Sequence, residues 1–464
     1  MLNRVKSMSM LPNAVLWLFA FGLLLDTPAA KAYNEHAAWT KILGAYLFHG
    51  FREQYGIPLP FTLFEILSYS ILFVVLARSG SQRPRLWSCV ALLAIFVPMA
   101  CALGTLTGIF RGHQIRLAFS QLHFMPMLSA WLLIGYYLGT NKGSLLQAAR
   151  IMFWVGIWRS CYAMYVYWLV LGGKMGTREF LIDHASSAFL VGGMCYALMQ
   201  SYLRRHHFRE FICYIFGFLL MLWPYILNDR RASFLGISVG FILLPWILPQ
   251  QIRRRLLIFY WPILICASLI MSSHSLRKGE ASSMPITGQE AAEISVDKLD
   301  YRQIENYNLM LGVIERPLLG LGFGTRFPQL LALPDISFSF VLFDAIPHNT
   351  LLFLWTFAGP LGISAFCTLS CLLMTVIVRV GKMARFPSDV LLAVMGMVMF
   401  MQWLMYVGFD MGLLESRLSM LIGVFGAGLI PLYGRIVVEQ VYAKCQISKV
   451  ESFVAADLQP ARLR

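Results

Sequence analysis

The feature that most constrains this chain is the recurrence, along nearly its whole length, of apolar stretches long enough to cross a bilayer. A hydrocarbon core about 30 Å thick takes roughly 20 residues of helix, because every backbone N–H and C=O must be satisfied inside the segment. Such runs lie near 11–25, 61–77, 86–106, 121–139, 149–171, 186–203, 211–227, 232–249, 256–271, 349–378, 389–408 and 419–437. The expectation is an all-α, polytopic membrane helical bundle of about 12 transmembrane helices. It forms one membrane domain over 1–464, with no soluble domain large enough to hold its own core. A chain that is 58% hydrophobic and 13% charged is no ordinary soluble globule.

Lysine and arginine set the expected orientation, since basic flanks stay on the cytoplasmic side. With the N-terminus inside, the inside flanks include Arg78, Arg83 and Arg85; Arg204, Arg205 and Arg209; Arg253 to Arg255; and Arg379, Lys382 and Arg385. They hold about twice as many basic residues as the short outside loops, which places both termini in the cytoplasm. The long loop 272–347, between spans nine and ten, is then outside. The net charge of +15 is a topology signal and a match to anionic lipid headgroups, and it does not point to nucleic acid. Eight of the nine cysteines fall in apolar spans and Cys445 in the inner tail, so disulfides are not expected to hold the outer loop. The first apolar run also fits a secretory signal, with TPAAKA as the cleavage region; a retained first helix is expected.

The outer loop opens with a polar stretch, and Leu299 to Glu315 then shows Ile304, Tyr307, Leu311 and Ile314 at helical spacing. The expectation is an amphipathic helix with those four on its apolar face, lying on the membrane or capping the bundle. Pro317 ends it. Gly320, Gly322 and Gly324 follow as a tight, irregular connection, with no strand before them to suggest a dinucleotide fingerprint.

The next span opens with PHNTLLFLWTFAGPLG, in which His348 and Asn349 precede Leu352, Gly359 and Gly362. His, then Asn, Ser or Asp, two free positions, Leu, six free positions, Gly, two free positions and Gly is matched throughout. So filled, and with its approach ERPLLGLGFG, the segment resembles the bacterial O-antigen ligase and polysaccharide polymerase superfamily. A second pattern of that family, Arg followed by three free residues and Leu, is met by Arg231 and Leu235 in NDRRASFLG. The resemblance is strongest from Arg302 to Gly362.

The resemblance implies a metal-independent, cofactor-free, inverting glycosyltransferase at the outer face of the inner membrane, with the 272–347 loop part of its active site. The donor is a glycan on undecaprenyl diphosphate. A polymerase of an exopolysaccharide or O-antigen adds it to another lipid-linked glycan, whereas an O-antigen ligase adds it to the lipid A core of lipopolysaccharide. Chain-length regulators, export proteins and membrane lipids are the further partners implied. His348 is the catalytic base such chemistry requires, because a neutral imidazole accepts a hydroxyl proton near neutral pH. Arg231 and Arg302, with Arg230, are the diphosphate-binding candidates, having forked donors suited to phosphate oxygens. Snorkelling to lipid phosphates is the alternative for the arginine pair, and pairing with Glu305 the alternative for Arg302. Asn349 reads as a helix cap or sugar ligand and Leu352 as packing. Gly359 and Gly362 read as permitting close helix approach, with Pro360 bending the span. Arg159, inside span five, costs about 3 kcal/mol on insertion scales unless compensated, by a bound diphosphate, water or an acid such as Glu65. A rival reading is a flippase for lipid-linked glycans, which would also use many helices, interior arginines and a bent span.

Overall fold

The computed structural model describes residues 2–25, 39–48, 61–78, 87–174, 182, 184–228, 231–250, 253–254, 258, 301–335, 342–409 and 415–458. These residues form helices, and no β-strand occurs among them. In chain order the elements are α1 (Leu2–Leu24), α2 (Trp39–Phe48), α3 (Leu63–Arg78), α4 (Trp87–Phe110) and α5 (Ile115–Leu122). There follow α6 (Phe124–Gly139), α7 (Lys142–Tyr165), α8 (His184–Leu203), α9 (Phe208–Leu227) and α10 (Arg231–Ile247). The last are α11 (Tyr301–Glu315), α12 (Thr350–Met383), α13 (Pro387–Phe409), α14 (Ser416–Ile422) and α15 (Leu429–Leu458). A π-helical turn, Val166–Val170, extends α7, and another, Gly423–Ala427, joins α14 to α15.

The chain is a helical membrane protein. Six helical segments among the described residues have both the length and the apolarity to cross a bilayer: Cys89–Phe110, Ile115–Gly139, Phe208–Leu227, Thr350–Met383, Pro387–Phe409 and Ser416–Tyr442. Met10–Leu24 and Ala232–Ile247 are apolar but shorter. Helices also stand at the other expected positions, except that the expected span 256–271 lies outside the described residues apart from Ile258.

α13 is at the centre, packed by α8, α10, α12 and the second π turn. Its sequence is apolar around the whole circumference, as a helix enclosed on all sides requires. Over an apolar stretch of 18 residues within it, 89% are buried. Glycines bring the neighbouring helices close: a Cβ on Gly135 would collide with the carbonyl of Gly423, and one on Gly139 with that of Gly428. This pair, spaced by four on α6, lets two backbones touch in a setting where packing rather than solvent drives helix association.

α10 runs antiparallel to α13, because a Cβ on Gly236 would lie 3.0 Å from Gln402 Cα and one on Gly240 3.4 Å from Val398 Cα. α12 and α13 are joined by a short turn at 384–386 and run antiparallel as well. The first residues of α10 and α12 and the last of α13 therefore share one end of the bundle.

The polar segment of the outer loop, 272–300, lies outside the described residues. α11 forms as expected but turns a different face inward. Ile304, Glu305, Asn308, Leu309, Gly312 and Val313 are buried, whereas Tyr307 and Ile314 are 47% and 69% exposed. The polar residues can be inside because they are satisfied there. Asn308 Nδ2 donates to the Leu331 carbonyl at 2.8 Å, and its Oδ1 accepts from the N–H groups of Leu330 and Leu331 at 3.1 Å. Once those partners exist, leaving an apolar stripe toward lipid or the interface costs little.

After α11 the glycine segment threads between α4 and α12. Leu321 N–H donates to the Thr356 carbonyl at 2.7 Å, Gly322 N–H to that of Phe357 at 3.0 Å and Phe323 N–H to that of Gly104 at 3.2 Å. Gly320, Gly322 and Gly324 all have positive φ, and a Cβ on Gly322 would come within 2.5 Å of Gly108 N. Arg111 secures the crossing by donating to the carbonyls of Gly320 and Leu321 at 2.7 and 2.8 Å.

Candidate functional site

α12 begins where Asn349 takes an extended conformation (φ −83°, ψ 96°) and its Oδ1 accepts the Leu352 N–H at 3.1 Å. Asn349 is thus the N-cap, satisfying a donor the helix cannot satisfy itself. Leu352 packs half-buried against the core. His348 stands one position earlier, at the mouth of the span.

The imidazole is held by Glu305 of α11. Its Nδ1 lies 3.1 Å from Glu305 Oε1, and the His348 backbone N–H donates to Glu305 Oε2 at 2.9 Å. The His348 side chain is 19% exposed and that of Glu305 1%. A carboxylate at Nδ1 selects the neutral tautomer that carries its proton there, which leaves the Nε2 lone pair as the ring's acceptor. Tyr301 packs edge-on to the ring with centroids 5.6 Å apart, and its hydroxyl donates to the Phe343 carbonyl at 3.4 Å. Burial, reinforced by the nearby carboxylates of Glu305 and Asp344, raises the Tyr301 hydroxyl above its usual range and keeps it protonated.

Arg302 reaches α13. Its guanidinium donates to the carbonyl of Phe409 at 2.7 Å, tying α11 to the end of α13, where the helix dipole is negative. The sequence offered Glu305 as a partner three residues away, and that buried carboxylate meets His348. Arg231 is the first residue of α10, and the α10–α13 register puts it at the level where α13 ends; its side chain and all of Arg230 lie outside the described residues. Just inside the bundle, Ser233 Oγ donates within a buried cluster, 3.1 Å from Tyr225 Oη and 3.0 Å from Gln402 Oε1, and Gln402 Nε2 donates to the Ser233 carbonyl at 2.8 Å. That cluster fixes the start of α10 against α9 and α13.

The two motif glycines serve α12 itself more than helix pairing. Gly359 breaks the helix with φ 65° and ψ −163°, immediately before Pro360. A Cβ there would sit 2.8 Å from the Leu318 carbonyl and 3.1 Å from Gly320 N. At Gly362 the kink folds the preceding turns back, so a Cβ would lie 2.6 Å from Ala358 Cβ and 3.0 Å from the Leu354 carbonyl. Close approach is thus to the glycine segment and to the helix's own kink.

Arg159 is buried on α7, where Nη2 donates to Ser186 Oγ at 2.9 Å and Nη1 approaches the Leu24 carbonyl at 3.5 Å. Glu65, offered as its partner, forms a reciprocal cap with Thr62 at the start of α3. Sequence reasoning passed over Arg417. This residue is also fully buried, with Nε 2.9 Å from Glu415 Oε1 and Nη1 3.4 Å from the Leu25 carbonyl. Two buried arginines therefore meet the C-terminal end of α1, held by different elements from those around His348. The signal for Arg417 was a basic residue two positions after Glu415 at the threshold of an apolar run. Arg326, on the loop, pairs with Asp344.

Neither family models nor curated proteins give a match to this chain.

Proposed function

We propose that this protein is a membrane glycan transferase that moves a glycan from undecaprenyl diphosphate to an acceptor hydroxyl, with His348 as the base. The observation that carries the reading is the grip of Glu305 on both Nδ1 and the backbone N–H of His348, which leaves Nε2 as a positioned proton acceptor. Nε2 takes the acceptor's proton as its oxygen bonds to the anomeric carbon. The bond from that carbon to the diphosphate oxygen breaks, and the electron pair leaves with undecaprenyl diphosphate.

The departing charge falls to Arg231 and Arg302 at this end of the bundle, with Arg230 the neighbour of Arg231 in sequence, aided by the N-termini of α10 and α12. Asn349 supports the site by capping α12, while Arg159, at the end of α1, is a separate intramembrane candidate for the diphosphate. The topology that goes with this reading has twelve spans, both termini in the cytoplasm and the 272–347 loop facing the periplasm. Polymerisation of an exopolysaccharide or O-antigen is the activity we assign, with a second lipid-linked glycan as acceptor.

The test is purified protein in lipid, supplied with an undecaprenyl diphosphate oligosaccharide and compared with His348→Ala. Longer lipid-linked glycans from wild type alone support the polymerase. Product only after lipid A core is added makes it a ligase. No product with either acceptor overturns transfer and brings forward the flippase.

A further inference from the structure

At the end of the bundle opposite His348 there is a cavity of about 530 Å³ that the transfer reading does not use. α12 alone separates the two ends by 34 residues, about 50 Å of helix before its kink is allowed for. The cavity is lined by Lys142, Arg150 and Arg204, with Tyr196, Gln200 and Ser388 adding polar groups among leucines. Among the described residues its lining contains three cations and no carboxylate.

Three helix ends make it. α7 starts at Lys142 and α13 at Pro387, so both bring N-terminal backbone dipoles of positive sign, and α8 ends at Leu203. The nearest acids offset two of the cations from outside the lining. Lys142 pairs with Asp389, while Arg204 lies 3.2 Å from Glu210 with both side chains about half exposed. Among the described residues no ion pair engages Arg150, whose side chain is exposed at the rim. Leu146, Leu203 and Leu391 form the apolar part of the wall. A wall that is cationic at the helix ends and apolar alongside fits an amphiphile with an anionic head, and the volume falls within the roughly 300–1,000 Å³ usual for ligand sites.

We propose that this cavity binds the phosphate of an anionic phospholipid headgroup, with Arg150 and Arg204 as the principal donors and the acyl chains running out along the leucines. The proposal stands independently of the transfer chemistry.

The experiment is native mass spectrometry and thermal melting of the full-length protein in detergent, titrated with phosphatidylglycerol, phosphatidylcholine or inorganic phosphate. Wild type is expected to retain phosphatidylglycerol and to melt higher with it, with no such response to phosphatidylcholine. The R150Q/R204Q double variant is expected to bind it more weakly, by about five-fold for each cation removed. R150K/R204K keeps the charges and is expected to keep most of the binding, while R254Q, which removes an exposed charge outside the lining, is expected to change nothing. Melting without lipid identifies any variant that fails to fold. Equal phosphatidylglycerol binding by wild type and the glutamine double variant overturns the site. A melting shift produced by inorganic phosphate and not by the lipid overturns the lipid source and makes it a free-phosphate site.

Discussion

A buried carboxylate that reaches both the backbone and the ring of one histidine makes a demand that can be tested by changing one atom. In Glu305→Gln, a single oxygen remains as acceptor and the amide supplies donors. If the oxygen keeps the His348 backbone N–H, the amide N–H₂ faces Nδ1, which must then become the acceptor and send the ring proton to Nε2. Turnover is expected to fall by about 10²–10⁴ with KM little changed, as expected for loss of a base rather than of binding. Glu305→Asp should recover part of the rate, and a glutamine variant with wild-type turnover removes Glu305 from the mechanism. Asn349→Ala acts differently, costing about 1 kcal/mol of stability through the lost cap, while Asn349→Asp retains it; melting in detergent reads both. Asn349 was legible as a cap because its chemistry is local to one segment. Glu305 was not, because its partner is 43 positions away and only the docking of α11 brings them together. Arg417 was missed for a related reason, since a basic residue at the edge of an apolar run reads as an exposed flank until its burial is seen.

Among the elements, α11 shows where periodicity misleads. Counting apolar positions selected Ile304, Tyr307, Leu311 and Ile314, but in a membrane protein an apolar side chain is not obliged to face inward. The buried face was instead chosen by hydrogen-bond partners for Glu305 and Asn308, which belong to other segments and cannot be read locally. The irregular connection after it was legible, because three glycines in five residues leave few alternatives. Its necessity is testable at the kink of α12. Gly359→Ala places a Cβ in a backbone region almost confined to glycine and against the Leu318 carbonyl, so a loss of more than about 3 kcal/mol is expected. Gly112 also has positive φ, but nothing lies within 4 Å of where its Cβ would be. Gly112→Ala is therefore expected to cost only about 1–2 kcal/mol. Unfolding of the two variants side by side separates backbone strain from collision, and equal losses would show that the packing of Gly359 against the glycine segment contributes nothing.

For the whole molecule, the bilayer made the helical fold legible, since a chain this apolar has few other ways to satisfy its backbone in lipid. Number and sidedness were less legible. Helix ends shift with capping and kinks, and the apolar parts of α1 and α10, Met10–Leu24 and Ala232–Ile247, are shorter than the six long apolar segments. The proposed sidedness follows from the basic flanks, and the structure supplies two positions that report on it. Gln329 is exposed on the loop between α11 and α12, and Cys445 is exposed on α15. In a cysteine-free background, Gln329→Cys is expected to react with a membrane-impermeant maleimide from the periplasmic side of intact cells. Cys445, restored alone, should react only after the membrane is opened. In the proposed topology α12, α13 and the α14–α15 segment put three crossings, an odd number, between the two sites. Labelling of both from the same side would therefore contradict the topology itself, and labelling with the sides exchanged would retain the bundle but put His348 where no periplasmic acceptor can reach it.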